Sequence, residues 1–218
     1  MRVNRNHTYW YVFCGVSDKM GEMKKIEQNK LQKRDNILKA AQEMFQTSGF
    51  VGASMDKIAE TAGVTKQTVY RYFSTKEELF QATLEAQRLR ANERFLDALQ
   101  LADTQQALTA FAVGFIKRHL SQEHLANIRL LVAEGPSVPE ITRAFYAFGS
   151  EKTQDGLVQF VEERFQRQDV DDEIKAFVSM LIAPRMPVLT GLREPLCEAE
   201  IKTHADKTVR MFLKLLDN

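Results

Sequence analysis

Helix breakers are scarce in this chain of 218 residues, which holds only 10 Gly and 5 Pro. No segment alternates apolar and polar residues at the two-residue period of a half-buried strand. No internal repeat or low-complexity run is present either. With Leu, Ala, Glu, Lys, Gln and Arg abundant, an all-α fold is predicted. Two cysteines, Cys14 and Cys197, exclude a disulfide framework or a cysteine-rich metal site, and fit a reducing cytoplasm. No stretch approaches the roughly 20 apolar residues that span a bilayer, so no membrane partner is expected. A phosphate-cradling glycine loop, a serine nucleophile elbow and Cys/His metal spacing are all missing. His119 and His124, five residues apart, would sit on different faces of one continuous helix rather than share a ligand site. The chain therefore does not read as an enzyme, and neither metal nor cofactor is expected.

What is present is an ordinary globular composition, 44% hydrophobic and 27% charged. The net charge of +1 hides an uneven distribution. Residues 24–76 carry ten Lys or Arg against five Asp or Glu, and the remainder 20 against 24. A basic head on a mildly acidic body suits nucleic acid. Residues 1–23, with the aromatic run YWYVFCGV, are expected to form a tail outside the fold.

A first helix is predicted over Lys30 to Thr47, with Leu31, Ile37, Leu38, Ala41, Met44 and Phe45 as its apolar stripe. Gly49 supplies a left-handed stop, and Phe50 folds back on the helix. Ser54 caps a second helix, Met55 to Ala62; Gly63 makes a tight turn, and Thr65 caps a third helix ending near Tyr72 or Phe73. Two short helices joined by a glycine-containing turn make a helix-turn-helix. The third helix shows polar and basic side chains outward and Val69 and Phe73 inward, the shape the major groove of duplex DNA accepts. Thr75 and Glu78 form a capping box that opens a long fourth helix reaching Leu101. Further helices are expected over 104–120, 124–134, 139–148, 150–168, 171–192 (interrupted by Pro184 and Pro187) and 198–216.

Residues 31–80 resemble the DNA-binding domain of the TetR family of bacterial transcriptional regulators. The resemblance lies in ILKAAQEMF, the GF after it, DKIAETAGVTKQTVYRYF and STKEELF, in that order and at the family's spacing. It implies a homeodomain-like three-helix head over 24–76 and a helical effector-binding and dimerisation body over 77–218. It also implies a groove-facing surface of Thr65, Lys66, Gln67, Thr68, Tyr70, Arg71 and Tyr72. Gln67, where many members carry glycine, has an amide that can pair with adenine. Thr65, Thr68, Tyr70 and Tyr72 suit phosphates. Lys76 and Ser54, at helix starts, suit phosphates as well. Lys24, Lys25, Lys30, Lys33 and Arg34 form a basic approach.

For the body the resemblance implies a homodimer, with Phe177, Met180, Leu181, Val188, Leu189, Val209, Phe212, Leu213 and Leu216 offering apolar faces to a partner copy or to their own subunit. The implied function is repression from a palindromic operator, relieved by an unknown, at least partly apolar, small molecule. Two alternatives remain at this stage: a constitutive DNA binder without effector, and a helical scaffold that has lost DNA affinity. Candidate cavity residues are Phe111, Phe115, Phe145, Phe148, Met180 and Met186, with Arg129, His119 or Arg185 as polar anchors.

Overall fold

The computed structural model describes the backbone of residues 8–91, 95–147 and 150–217, and side chains over 24–90, 95–147 and 152–217. Among these residues every regular element is helical. Helix α1 runs Thr8–Gly52, far upstream of the expected start at Lys30. Of the expected tail, residues 1–7 lie outside the described set, and 8–23 are helical and continuous with α1.

Ile37, Leu38, Ala41 and Phe45 are buried as their spacing requires, whereas Leu31 is 61% exposed. Gly49 adopts φ 73° and ψ 176°, a region open essentially to glycine alone. That bend returns Phe50 onto Phe45, 5.7 Å between centroids, and both rings meet Phe80 edge-on at 5.6 and 5.2 Å. The aromatic trio joins α1 to the start of the fourth helix.

Helix α2 (Met55–Thr61) begins where Ser54 Oγ accepts the Asp56 N–H at 3.3 Å. Gly63, at φ 66°, makes the turn without the strain a side chain would meet. Helix α3 (Lys66–Tyr72) begins where Thr65 Oγ1 accepts the Thr68 N–H at 3.2 Å, and the fully buried Val69 anchors it. Helix α4 (Lys76–Ala91) starts with Thr75 Oγ1 accepting from Glu78 N–H at 3.1 Å. The Glu78 carboxylate takes the Ser74 N–H at 2.7 Å, one residue upstream of a reciprocal capping box.

The described part of α4 stops at Ala91, short of the expected Leu101. Beyond it the apolar residues are satisfied against the next helix instead. Phe95 packs edge-on against Phe111 and Phe115, and Leu99, in a short 3-10 turn, is buried in the body. There follow α5 (Thr104–His119), α6 (Gln122–Glu134), α7 (Pro139–Tyr146), α8 (Ser150–Phe165), α9 (Asp171–Leu181), α10 (Arg185–Leu189) and α11 (Glu198–Leu216). The prolines split the helix expected over 171–192 into α9 and α10.

Two apolar cores result. The body core unites α5, α8, α9 and α11 around Phe111, Phe177 and Phe212. The head core draws on α1–α3, but equally on Leu79, Phe80 and Leu84 of α4, Ile128, Leu130 and Leu131 of α6, and Ile141 of α7. A boundary at residue 76, as expected from sequence, therefore cuts through a shared core. Phe177, Leu181, Val188, Val209, Phe212 and Leu216, offered above to either a partner or their own subunit, are buried within the subunit.

Candidate nucleic-acid interface and ligand cavity

Helix α3 holds an outward polar face on a buried Val69 and Phe73. Thr65, Lys66, Gln67 and Arg71 are exposed, Tyr70 is 44% exposed, and Thr68 and Tyr72 are half-buried. The Gln67 side chain makes no hydrogen bond among the described residues, so its amide is unengaged. The other polar groups have local partners. Lys66 Nζ pairs with Asp56 at 2.9 and 3.1 Å; this hydrogen bond, with the carboxylate's charge, raises its pKa above the ordinary lysine value. The hydroxyls of Thr65 and Thr68 lie 2.8 Å apart. Tyr72 donates its hydroxyl to the Lys30 carbonyl at 3.2 Å and packs on the head core, so it serves α1 as well as the outer face. Arg71 lies 5.6 Å over the Tyr72 ring.

Lys76 departs most from expectation. Its ammonium donates to the carbonyls of Val51 and Ala53 at 3.3 and 3.2 Å and stands 4.6 Å over the Phe50 ring. It ties the end of α1 to the start of α4 rather than projecting freely. An open groove of about 470 Å³ between the starts of α2 and α4 is lined by residues 53–56, Lys66, Tyr70 and residues 74–76. The groove gathers Ser54, Lys66, Tyr70 and Lys76. Thr65, Gln67, Thr68, Arg71 and Tyr72 lie outside it, on the remainder of α3 or at its cap. Lys24, Lys25, Lys30, Lys33 and Arg34 are all exposed on α1.

Within the body lies a cavity of about 350 Å³. Leu84, Gln87 and Arg88 of α4 line it, with Phe115, Arg118 and His119 of α5 and His124, Asn127 and Ile128 of α6. Phe145, Tyr146, Thr153, Gln154, Val178, Ile182 and Arg185 complete the wall. Of the residues expected there, Phe115, Phe145, His119 and Arg185 are present. Phe111 is in the body core, Met186 and Arg129 are exposed, Met180 is half-buried outside the lining, and Phe148 lies outside the described residues.

The two histidines do meet, contrary to the face argument, because Leu120 ends α5 and Ser121 caps a new helix. Their rings are edge-to-face at 4.8 Å. The contact extends an aromatic series through Phe115–His119 at 3.9 Å, His124–Phe145 at 5.5 Å and Phe145–Tyr146 at 5.4 Å. Burial, reinforced by the charges of Arg118 and Arg185, depresses His119 to about 4 and His124 to about 3. Both imidazoles are neutral near pH 7. His119 Nδ1 donates to the Phe115 carbonyl at 2.9 Å. No cluster of three or more His, Cys, Asp or Glu suited to a metal occurs among the described residues.

Sequence reasoning missed Gln87 and Asn127, which share a buried 2.7 Å hydrogen bond. A usable signal existed for Gln87: it continues the buried register of Phe80, Thr83 and Leu84 on α4. Also missed was Glu134 at the end of α6, whose carboxylate accepts the Val51 N–H at 2.9 Å.

Comparison with known proteins places both halves. Residues 37–83 match the family described as bacterial regulatory proteins of the tetR family, and residues 106–215 match the AefR-like transcriptional repressor C-terminal domain. The transcriptional repressor NicS of Pseudomonas putida is 39% identical over 90 residues, 39% of this chain and 42% of that protein. The aligned part thus spans under half of that relative. A solved TetR-family regulator from Mesorhizobium loti superposes with a TM-score of 0.74 at 27% identity, covering 85% of this chain and 97% of the other. The flavonoid-responsive regulator FrrA gives 0.65 at 29% identity, covering 84% and 96%. No helix among the described residues is long and apolar enough to cross a membrane. With family models matching both the head and the greater part of the body, this chain belongs to the TetR family of DNA-binding bacterial transcriptional regulators.

Proposed function

We propose that the protein represses transcription as a homodimer on a palindromic operator and that a small molecule in the body cavity releases it. The observation that carries this reading is the sharing of α4 and α6 between the head core and the cavity wall. The exposed face of α3 enters the major groove, with Gln67 reading a base edge and Thr65, Lys66, Thr68, Tyr70 and Arg71 around it. Ser54 and the groove between α2 and α4 receive the phosphate backbone, with Lys76 in the groove wall and Tyr72 bracing α3 against α1. Twofold symmetry doubles the base and phosphate partners of one short helix. The partner packs on the outer side of the C-terminal helices, where Met211 and Leu215 of α11 remain 47% and 40% exposed. The names repressor and flavonoid-responsive, borne by NicS and FrrA, support the sign of regulation and the presence of an effector.

Selection of bound duplexes from a random pool tests the reading. An enriched palindrome with half-sites about one helical turn apart is expected. Enrichment of a lone half-site, or none, overturns it.

A further inference from the structure

The cavity's charge pattern specifies more than an apolar effector. Its described lining residues include three arginines, Arg88, Arg118 and Arg185, and neither Asp nor Glu. None of the three is ion-paired with a carboxylate among the described residues. Two buried nitrogens, Arg88 Nε and His124 Nε2, have no hydrogen-bond partner there. His124 itself is only 7% exposed. A wholly apolar ligand would strip water from the three guanidiniums and leave them, like the two inner nitrogens, unanswered, a costly arrangement. A carboxylate answers them: guanidinium donors fit its two oxygens, and a neutral imidazole protonated at Nε2 adds another. The opposite need, a partner for flat apolar surface, is set by the aromatic series from Phe115 to Tyr146. Rings stack on such a wall, and the volume of about 350 Å³ is of the size that holds one small organic molecule.

We propose that the cavity binds an aromatic carboxylic acid as its anion, the carboxylate held by Arg88, Arg118, Arg185 and His124 and the ring laid on the aromatic wall. The inference rests on the effector reading above and narrows it to a ligand class.

The test is calorimetric titration of the full-length protein, without DNA, by 2-naphthoate, its neutral isostere 2-naphthamide, and octanoate. The acid is expected to bind at least about tenfold more tightly than the amide, the scale of a charge-assisted hydrogen bond, and more tightly than octanoate. In Arg88→Gln and Arg185→Gln the preference for acid over amide is expected to shrink. The wild-type comparison needs no variant to fold. Equal or tighter binding of the amide, absence of acid binding at millimolar concentration, or octanoate matching naphthoate each overturns the proposal. Operator binding is measured separately with and without naphthoate. An acid that binds with the expected preference but leaves DNA affinity unchanged sinks the effector reading and leaves the ligand class standing.

Discussion

Replacing Lys76 by Met removes an ammonium while keeping an unbranched stem against Phe50, so it isolates what the charge does. The substitution abolishes two hydrogen bonds to backbone carbonyls, at 3.3 and 3.2 Å, and a cation–π interaction at 4.6 Å. Hydrogen bonds to charged groups contribute about 1.5–3 kcal/mol each at good geometry. These sit at the long end of the normal range and the side chain is half-exposed, so about 1 kcal/mol each is the better figure. The cation–π interaction adds about 0.5–1 kcal/mol. The expected destabilisation is therefore about 2–3 kcal/mol, or a fall in Tm of about 5–10 °C for a chain of this size. Urea unfolding measures it. Salt titration of operator binding, run in parallel, tells brace from phosphate ligand. If Lys76 binds a phosphate in each half-site, its replacement lowers the slope of log affinity against log salt by about 2 per dimer, whereas a brace leaves the slope nearly unchanged. Stability within about 0.5 kcal/mol of wild type, with a slope lowered by that amount, would refute the brace.

Gln67→Ala removes an exposed, unengaged amide; stability is expected to stay within about 0.5 kcal/mol, while duplex selection loses about 1–3 kcal/mol of preference at one base position per half-site. Gly49→Ala meets both a backbone conformation that excludes side chains and the Glu134 carboxylate, so denaturation should reveal a loss of about 2 kcal/mol or more, against about 1 kcal/mol for Gly63→Ala, where the added methyl meets open space. The histidine pair makes stability pH-dependent in a fixed direction. Folded values near 4 and 3 lie below the ordinary 6.5, so the unfolded chain binds more protons and stability, complete above about pH 6.5, declines on acidification towards the folded values. Between pH 6.5 and 5.5 the pair loses about 2 kcal/mol, and His124→Asn should halve that part of the slope in urea unfolding; an unchanged slope would show that the imidazoles are not held neutral.

The head was legible because local chemistry there coincides with tertiary need. Ser54, Thr65 and Thr75 are the capping residues their positions imply, and Gly63 takes the predicted positive φ. Val69 and Phe73 point inward as a three-helix core demands. What the sequence could not show is what depends on distant partners. Nothing around Lys76 announces that Val51 and Ala53 would present carbonyls to it. Tyr72 reads as a groove-facing tyrosine until Lys30, forty-two residues upstream, claims its hydroxyl. The histidine argument assumed a continuous helix, and a single break at Leu120 brings together the two rings that it had set on different faces. The C-terminal apolar stripes were read correctly as buried faces, but periodicity cannot say whether the covering surface belongs to the same chain. Here Phe177 stacks on Phe212 at 4.2 Å within one subunit.

The proposed coupling between cavity and head would run through residues that belong to both. Leu84 and Ile128 sit in the head core and in the cavity wall at once. A ligand pressing on them presses on the packing that seats α3 through α1 and α4. Helix α6 is also tethered to α1 by polar interactions at both ends. Glu123 accepts from Gln42 at 2.7 Å near its start, and Glu134 accepts from the Val51 N–H at its finish. Between those tethers stand His124 and Asn127, which line the cavity. Since close-packed interfaces shift between discrete arrangements rather than deform smoothly, a displaced α6 would carry the α1–α2 junction with it. The shift in DNA affinity is then bounded by the ligand's preference for the displaced arrangement. Glu134→Gln, which keeps an acceptor but removes its charge, should leave naphthoate affinity nearly unchanged while altering how much naphthoate weakens operator binding. Equal weakening in variant and wild type would show that this tether carries none of the coupling.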